Sequence, residues 1–158
     1  MKNMIYYKSP IGNLIIMEEE NAIIKLCFKE QEIINIKDIQ EFETPLLKKA
    51  KKQLEEYFEG KRKKFDLALR LNGTSFQNKV WKALLDIPYG ETRSYKDIAI
   101  AVGNEKACRA VGMANNKNPI SIIIPCHRVV GANGKLVGYG GGLDKKEKLL
   151  NIEKIDNK

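Results

Sequence analysis

The chain has 158 residues and a mass of 18.0 kDa, which allows one hydrophobic core or two small ones and excludes a large multidomain enzyme. Hydrophobic residues make up 43% and charged residues 30%, a balance that is typical of globular proteins and excludes a disordered chain. The net charge is +8, and from Gly73 onward 14 Lys and Arg stand against 8 Asp and Glu, so +6 of it lies in the second half. This excess favours a polyanionic partner, above all nucleic acid, and the alternative is solubility alone.

Targeting and cysteine patterns indicate a reduced, membrane-free environment. No apolar run approaches the roughly 20 residues that span a bilayer, and the first residues lack the apolar stretch of a signal peptide. The three cysteines, Cys27, Cys108 and Cys126, have no metal-ligand spacing, and His127 is the only histidine. We therefore expect a cytoplasmic protein with free thiols, no membrane partner, no disulfide framework and no metal site.

The first 28 or so residues predict short strands of a small antiparallel sheet. β-Branched and aromatic runs at Ile5–Tyr7, Leu14–Ile16 and Ile23–Leu26 are separated by Ser9-Pro10 and Glu20-Asn21.

One helix is predicted from Pro45 to Glu59. Thr44 can cap it, proline suits the first helical position, and apolar residues keep helical spacing until Gly60. The charge run Lys61–Lys64 is interpreted as a solvated connection.

The second half predicts successive short helices with no strand pattern between them. They run from Phe76 to Ile87, from Ser94 to Val102 and from Glu105 to Asn116, and Leu85 is assigned to the apolar face of the first. Ser94 with Asp97 forms a capping pattern, and Gly103-Asn104 predicts a tight turn before the next helix. This pattern is that of a helix-turn-helix, although two short helices joined by a glycine turn are more often plain packing.

Chemistry-bearing residues are densest at Pro125–Arg128, where the apolar run Ile122–Ile124 ends. A thiol reacts in substitution as the thiolate, and an adjacent imidazole or guanidinium lowers its pKa from the free value of about 8.5. Cys126 is therefore a candidate nucleophile. The alternative is a buried structural cysteine, because side chains adjacent in sequence often point apart. Cys27 and Cys108 are expected to be small packed residues.

The segment Pro125-Cys126-His127-Arg128-Val129-Val130 resembles the active-site signature of the methylated-DNA–protein-cysteine methyltransferases, also called O6-alkylguanine-DNA alkyltransferases. The resemblance extends over essentially the whole second half, whereas over residues 1–70 it is weak and rests on order and length. In family order, the further matching segments are Phe76-Gln77, Val80-Trp81, Gly90-Glu91, Ser94-Tyr95, Arg109-Ala110-Val111-Gly112, Asn118-Pro119, and Tyr139 with Gly141-Gly142-Leu143.

This resemblance implies an α/β fold in two domains. Residues 1–70 would form a small ribonuclease-H-like sheet-plus-helix domain. Residues 71–158 would form a helical C-terminal domain with a winged-helix-like helix-turn-helix, which carries DNA binding and the alkyl acceptor.

The implied activity is DNA repair by direct reversal, in which the alkyl group of O6-alkylguanine is transferred irreversibly to Cys126, once per protein molecule. His127 would draw off the thiol proton through a water, and Glu153 would hold the imidazole. The hydroxyl of Tyr95 would neutralise the charge that develops on the leaving guanine. Lys146 matches a second group near the base, and activity on O4-alkylthymine stays open.

The resemblance also implies how DNA is engaged. The damaged nucleotide must leave the duplex, and Arg109 on the second helix would take its place in the stack. Small Ala110 and Gly112 would let this helix lie close in the minor groove. Without the motif Arg109 would be interpreted as an exposed helix charge. Positions expected near the DNA backbone, where contacts carry little sequence preference, are Tyr95, Lys96 and Asn104.

Further positions match the substrate pocket. Asn118 would hydrogen-bond within the turn that carries the active-site segment, a role close to that of a plain Asn-Pro turn. Residues expected to wall the pocket are Val129, Val130 and the loop from Tyr139 to Gly142, for which a phosphate cradle is the less favoured alternative. Two positions depart from the family pattern: Ser121 replaces a common proline, expected to be harmless, and Gly140 replaces a frequent serine, expected to loosen the pocket.

We expect a monomer that acts on double-stranded DNA containing alkylated guanine and needs no cofactor, metal or obligate protein partner. Some family members bind zinc in the first domain, but the single histidine here is already assigned to catalysis. The main alternative is a non-catalytic alkyltransferase-like lesion-binding protein, but those relatives lack the cysteine. A Cys-His hydrolase would have no use for the helix-turn-helix, and a transcription regulator would leave the Cys-His-Glu set unexplained.

Overall fold

The computed structural model describes residues 2–31, 38–136, 138–139 and 141–156. The chain divides into two compact units, Met1–Leu71 and Asn72–Lys158. Within the described ranges, no helix has both the length and the apolar character needed to cross a membrane.

The first unit is built on a four-stranded sheet. Its strands are β1 (Lys2–Ser9), β2 (Gly12–Glu19), β3 (Ala22–Phe28) and β4 (Ile39–Glu41), in the order β3-β2-β1-β4. The first three strands pair antiparallel, as the sequence predicts, whereas β4 runs parallel to β1. Strand β4 was not predicted, because three residues are too few to show an alternating pattern.

Helix α1 (Pro45–Phe58) covers this sheet and confirms the predicted helix. The hydroxyl oxygen of Thr44 accepts a hydrogen bond from the backbone N–H of Leu47 at 3.2 Å, and Glu59 is the C-cap, so the helix ends one residue before the prediction. Its packed face is fully buried and consists of Leu47, Ala50, Leu54 and Tyr57.

A separate apolar cluster explains Cys27. Its buried centre is formed by Met4, Ile15 and Met17, against which the half-buried Cys27 packs. A small packed residue is what the strand position predicts for Cys27.

The second unit is mainly helical. It contains α2 (Ser75–Leu85), β5 (Arg93–Ser94), α3 (Tyr95–Ala101), α4 (Cys108–Asn116), β6 (Val129–Val130) and α5 (Leu143–Asp156). The two short strands pair in parallel, so the expectation that no strand lies among these helices is wrong. Strands of two residues leave no periodic pattern in a sequence.

Helices α3 and α4 form the predicted helix-turn-helix. The Ser94 hydroxyl and the Asp97 carboxylate complete a reciprocal capping box, and Gly103 adopts the left-handed conformation, with φ of +89°. Helix α4 begins at Cys108, three residues later than predicted, because the backbone and side-chain oxygens of Asn104 accept the N–H groups of Ala107 and Lys106 in a turn.

Helix α2 ties this motif to the rest of the unit. The indole N–H of Trp81 donates to the carbonyl of Ala114 at 2.9 Å, which fixes α2 against α4. Val80 and Leu84 are fully buried on the same face, whereas Leu85 is 43% exposed and lies off the apolar face to which the sequence assigned it.

Candidate active site

The turn that leads into the Pro-Cys-His-Arg segment is strained and held by Asn118. Its Nδ2 donates to the carbonyl of Ile124 at 2.7 Å, and its Oδ1 accepts from the N–H of Ile120 at 3.0 Å. Between them Ile122 is buried with φ of +71°, a conformation that a β-branched residue adopts only when its surroundings enforce it. The two hydrogen bonds of Asn118 therefore fix the approach to Cys126.

Cys126 opens a 3-10 turn, Cys126–Arg128, and is 4% exposed. Burial raises the pKa of its thiol to about 11, although a hydrogen bond from Asn118 and the charge of Lys146 act in the opposite direction. The expectation that neighbouring basic groups lower this pKa is therefore wrong. The guanidinium of Arg128 is engaged elsewhere, so the resting group is a thiol that needs a base.

His127, which follows Cys126 in the 3-10 turn, forms a buried pair with Glu153. Nε2 of His127 lies 2.6 Å from Oε2 of Glu153, and both side chains are almost fully buried. Burial alone would raise the pKa of Glu153, but hydrogen bonds and positive charge from its partners lower it to about 2. Since the carboxylate is ionised and can only accept, the imidazole carries its proton on Nε2.

The other imidazole nitrogen is then available as a proton acceptor. Burial lowers the pKa of His127, and the raising effect of Glu153 is opposed by the charges of Arg128 and Lys146. Nδ1 is buried and makes no hydrogen bond within the described part of the chain. A neutral imidazole with a free Nδ1 has the form required of a general base.

Arg128 completes the surroundings of Glu153, whereas its position in the sequence suggested a guanidinium that acts on the thiol. Its Nε donates to Oε1 at 2.8 Å and one terminal nitrogen donates to Oε2 at 3.1 Å, while the other reaches the carbonyl of Ile87 at 2.7 Å. The N–H of Gly90 adds a hydrogen bond to Oε1 at 3.3 Å. Arg128 and Gly90 lie in segments that match the family, but their convergence on one carboxylate appears only in the folded chain.

Lys146 is buried beside the thiol. Its ammonium group donates to the carbonyls of Val129 and Gly138. Burial lowers its pKa to about 8, and the nearby Cys126 raises it again in part. Lys146 is therefore a cation held near the site by backbone acceptors.

The Tyr139 side of the site contains one of the departures from the family pattern. The buried hydroxyl of Tyr139 lies near the side chains of Ser121 and Cys126, and burial raises its pKa well above the usual value. Ser121 thus places a hydroxyl near the site, which its sequence position did not indicate. Val129 and Val130 are buried next to the 3-10 turn, and Gly140 lies outside the described residues.

Tyr95 is the first residue of α3 and lies between Gly112 of α4 and Gly138. Burial raises its pKa, as does the negative charge that Cys126 acquires on ionisation, so the phenol keeps its proton at neutral pH. A Cβ on Gly112 would lie 3.8 Å from the tyrosine ring, and one on Gly138 would lie 3.6 Å from its hydroxyl. The other positions expected to face DNA are all exposed: Lys96, Asn104, Arg109 and Ala110.

The fold therefore brings five side chains into one site: Cys126, His127, Glu153, Lys146 and Tyr139. The hydroxyl of Tyr95 lies close to Gly138. Within the described ranges no group of three or more His, Cys, Asp or Glu side chains could hold a metal ion. The site combines a thiol, a neutral base and two phenols. These are the groups that a nucleophilic substitution coupled to proton transfer requires.

Two family models match the chain, one for each unit. The 6-O-methylguanine DNA methyltransferase ribonuclease-like domain matches residues 4–71, and the DNA binding domain of the same family matches residues 75–155.

Individual relatives agree over nearly the full length. The constitutive methylated-DNA–protein-cysteine methyltransferase of Bacillus subtilis is 50% identical over 163 residues, covering 98% of this chain and 99% of that protein. The methyltransferase of Methanosarcina acetivorans is 51% identical over 148 residues, covering 93% and 95%. A crystal structure of Mycobacterium tuberculosis OGT in complex with DNA superposes with a TM-score of 0.91 at 47% identity, covering 98% of this chain and 94% of that one.

Proposed function

The chain belongs to the 6-O-methylguanine DNA methyltransferase family, and from this membership we infer that it repairs DNA by transferring an alkyl group to one of its own cysteines. The α/β fold, with a sheet domain followed by a helical DNA-binding domain, is that of the family. The contacts of the second unit support proposals for the acceptor, the proton path and the pocket.

Cys126 is the proposed acceptor. Its sulfur attacks the alkyl carbon in line with the C–O6 bond, the S–C bond forms, and the electron pair of the broken bond passes to guanine. The thiol proton moves through a water to Nδ1 of His127, and Glu153 stabilises the resulting imidazolium. The observation that supports this path is the buried pair at 2.6 Å, which leaves Nδ1 as the free acceptor.

The leaving guanine needs a proton donor, and Tyr95 is the proposed one. Its pKa is raised by burial, so it is a neutral phenol that can donate to the purine as negative charge develops. Lys146 is proposed to stabilise the same charge from the Cys126 side. Since the thioether product has no route back to a thiol, each protein molecule acts once.

DNA is the partner, and the alkylated guanine is proposed to reach Cys126 by leaving the duplex. Arg109 is exposed on α4 and is proposed to occupy the gap, with Ala110 and Gly112 at the groove. Lys96 and Asn104 are proposed to contact phosphates. Asn118, Val129, Tyr139 and Gly140 are proposed to line or support the pocket. A monomeric state and a cytoplasmic location remain predictions.

The test is intact and peptide mass after incubation with a short duplex that contains one O6-methylguanine. We expect a gain of about one methylene mass on Cys126, at one methyl group per protein, and no gain in Cys126→Ser. Cys108→Ser is the matched control, because Cys108 is also free but lies at the start of α4, and it should be methylated like the wild type. An unchanged mass together with tight lesion binding would instead favour the lesion-binding alternative.

A further inference from the structure

Glu153 is held by more donors than its pairing with His127 requires. Arg128 reaches both carboxylate oxygens, at 2.8 and 3.1 Å, and Gly90 donates to one of them at 3.3 Å. Arg128 is only 6% exposed, and its third contact, to the carbonyl of Ile87, leaves the guanidinium one orientation. The ring of Tyr89 lies 5.7 Å from the guanidinium carbon and adds a cation–π contact.

We propose that Arg128 is a positioning residue for alkyl transfer: by holding and neutralising Glu153, it keeps His127 uncharged with its proton on Nε2, so that Nδ1 faces the thiol as the base. The inference rests on the proposed function for its catalytic consequence. Its structural content, the protonation form of His127, can be measured without any reaction.

The charges of this buried site must balance. An imidazole paired with a lone buried carboxylate gains a proton readily, because the ion pair replaces an uncompensated negative charge. A protonated His127 could take no proton from Cys126. The guanidinium supplies the compensating positive charge instead, so the carboxylate stays ionised while the imidazole stays neutral.

Among the charged groups around His127, the cations oppose its protonation and the carboxylate of Glu153 favours it. Glu153 and Lys146 face it from α5, and Arg128 and Cys126 belong to its own turn. Lys146 is a buried cation near the imidazole and also disfavours a second positive charge there. Glu153 is thus the group that favours the imidazolium, and Arg128 is the group that contacts Glu153 directly.

The first measurement uses the unmodified protein. His127 is the only histidine in the chain, so one pair of imidazole nitrogens gives the whole histidine signal in a ¹⁵N NMR spectrum. We expect the neutral Nε2–H form at pH 7, with a titration midpoint below that of a free histidine, which is about 6.5. An imidazolium at pH 7, or the Nδ1–H form, would overturn the proposal.

The second measurement compares Arg128→Gln and Arg128→Lys with Arg93→Gln, a half-buried arginine of the same unit that pairs with Glu91. In Arg128→Gln we expect the titration midpoint of His127 to rise by about 1 pH unit or more. The pH at which acid slows methyl transfer should rise by the same amount. Arg128→Lys keeps the charge and should restore part of the shift, while Arg93→Gln should leave both unchanged.

A purely structural role predicts a different result. In that case the Arg128 variants lose stability but titrate His127 at the wild-type midpoint, and this outcome refutes the proposal. If Arg128→Gln does not fold, the Arg128→Lys variant and the wild-type spectrum still test the proposal. Failure of the proposed function is distinguishable, because the absence of methyl transfer in the wild type would leave the histidine titration intact.

Discussion

The hydroxyl of Tyr95 should separate alkyl transfer from DNA binding. Replacing Tyr95 by Phe keeps the ring against Gly112 but removes the proposed proton donor for the leaving guanine. We expect the single-turnover rate of methyl transfer to fall about 100-fold, the usual effect of losing one positioned donor, with little change in affinity for duplex DNA. Tyr6→Phe in β1, a tyrosine that is 43% exposed, is the matched control. Equal losses in rate and affinity would contradict this role of the hydroxyl.

Glu153 should make the stability of the fold sensitive to acid. Its pKa is about 2 in the folded chain against 4.5 for the ordinary group, so the carboxylate is protonated at a lower pH in the folded state than in the unfolded state. Its contribution is therefore complete above pH 4.5 and is lost as the pH falls toward 2. The lowered pKa of His127 acts in the same sense, beginning below about pH 6.5.

Urea unfolding of the wild type and of Glu153→Gln at pH 7, 5, 4 and 3 tests this expectation. At pH 7 the variant should be less stable by about 3–5 kcal/mol, because it leaves the buried Arg128 without its counter-charge. That difference should shrink below pH 4.5. Glu147→Gln, an exposed glutamate on the same helix, should follow the wild type at every pH. A difference that stays constant with pH would argue against an ionised Glu153 as its source.

At the residue scale, the sequence predicted which side chains lie together better than it predicted their ionisation states. The Pro-Cys-His-Arg segment pointed to Cys126, but adjacency predicted a lowered thiol pKa where burial raises it to about 11. The guanidinium of Arg128 turns toward Glu153, 25 residues further along the chain. Spacing in a sequence cannot give the direction of a side chain or its burial, and these decide a pKa.

At the scale of the helix, the cap of α3 should matter for chemistry as well as for stability. Ser94 and Thr74 both form complete capping boxes, on α3 and α2. Replacing either by Ala should lower the free energy of unfolding by about 1 kcal/mol. Only Ser94→Ala should also slow methyl transfer, because Tyr95 is the residue that follows the cap. Chemical denaturation and single-turnover rates measure the two effects, and equal rates in both variants would count against this coupling.

The elements that could be predicted from sequence were those with a start signal and an apolar stripe. Helix α1 has both, with Thr44-Pro45 at its start and a buried face at helical spacing. Helix α5 was not predicted, and part of its buried face is charged. Its fully buried Lys146 and nearly buried Glu153 are charged residues that a pattern search assigns to solvent. Partners from other segments stabilise them, and a short stretch of sequence does not show which distant residues will be those partners.

At the scale of the whole molecule, the fold class could be predicted because the family motifs span the second half in order. The first unit could be predicted only as three strands and a helix, because its fourth strand pairs with β1 from a distant part of the chain. Long-range pairing of this kind leaves no periodic signal. The charge distribution, in contrast, is read directly from the sequence and predicts how binding responds to salt.

The basic excess of the second half should make DNA affinity strongly salt-dependent and largely independent of the lesion. Four exposed cations lie on or near the helix-turn-helix: Lys96, Lys106, Arg109 and Lys117. If each neutralises one phosphate, log Kd should rise with log salt at a slope of about 3.6, so tripling the salt concentration weakens binding about 50-fold. Fluorescence anisotropy should give the same slope for damaged and undamaged duplexes, because phosphate contacts carry no information about the base. Lys106→Gln should lower the slope by about one unit, whereas Lys49→Gln on α1 of the first unit should leave it unchanged. A slope near zero would assign the affinity to the pocket instead, and the positive charge would then serve solubility alone.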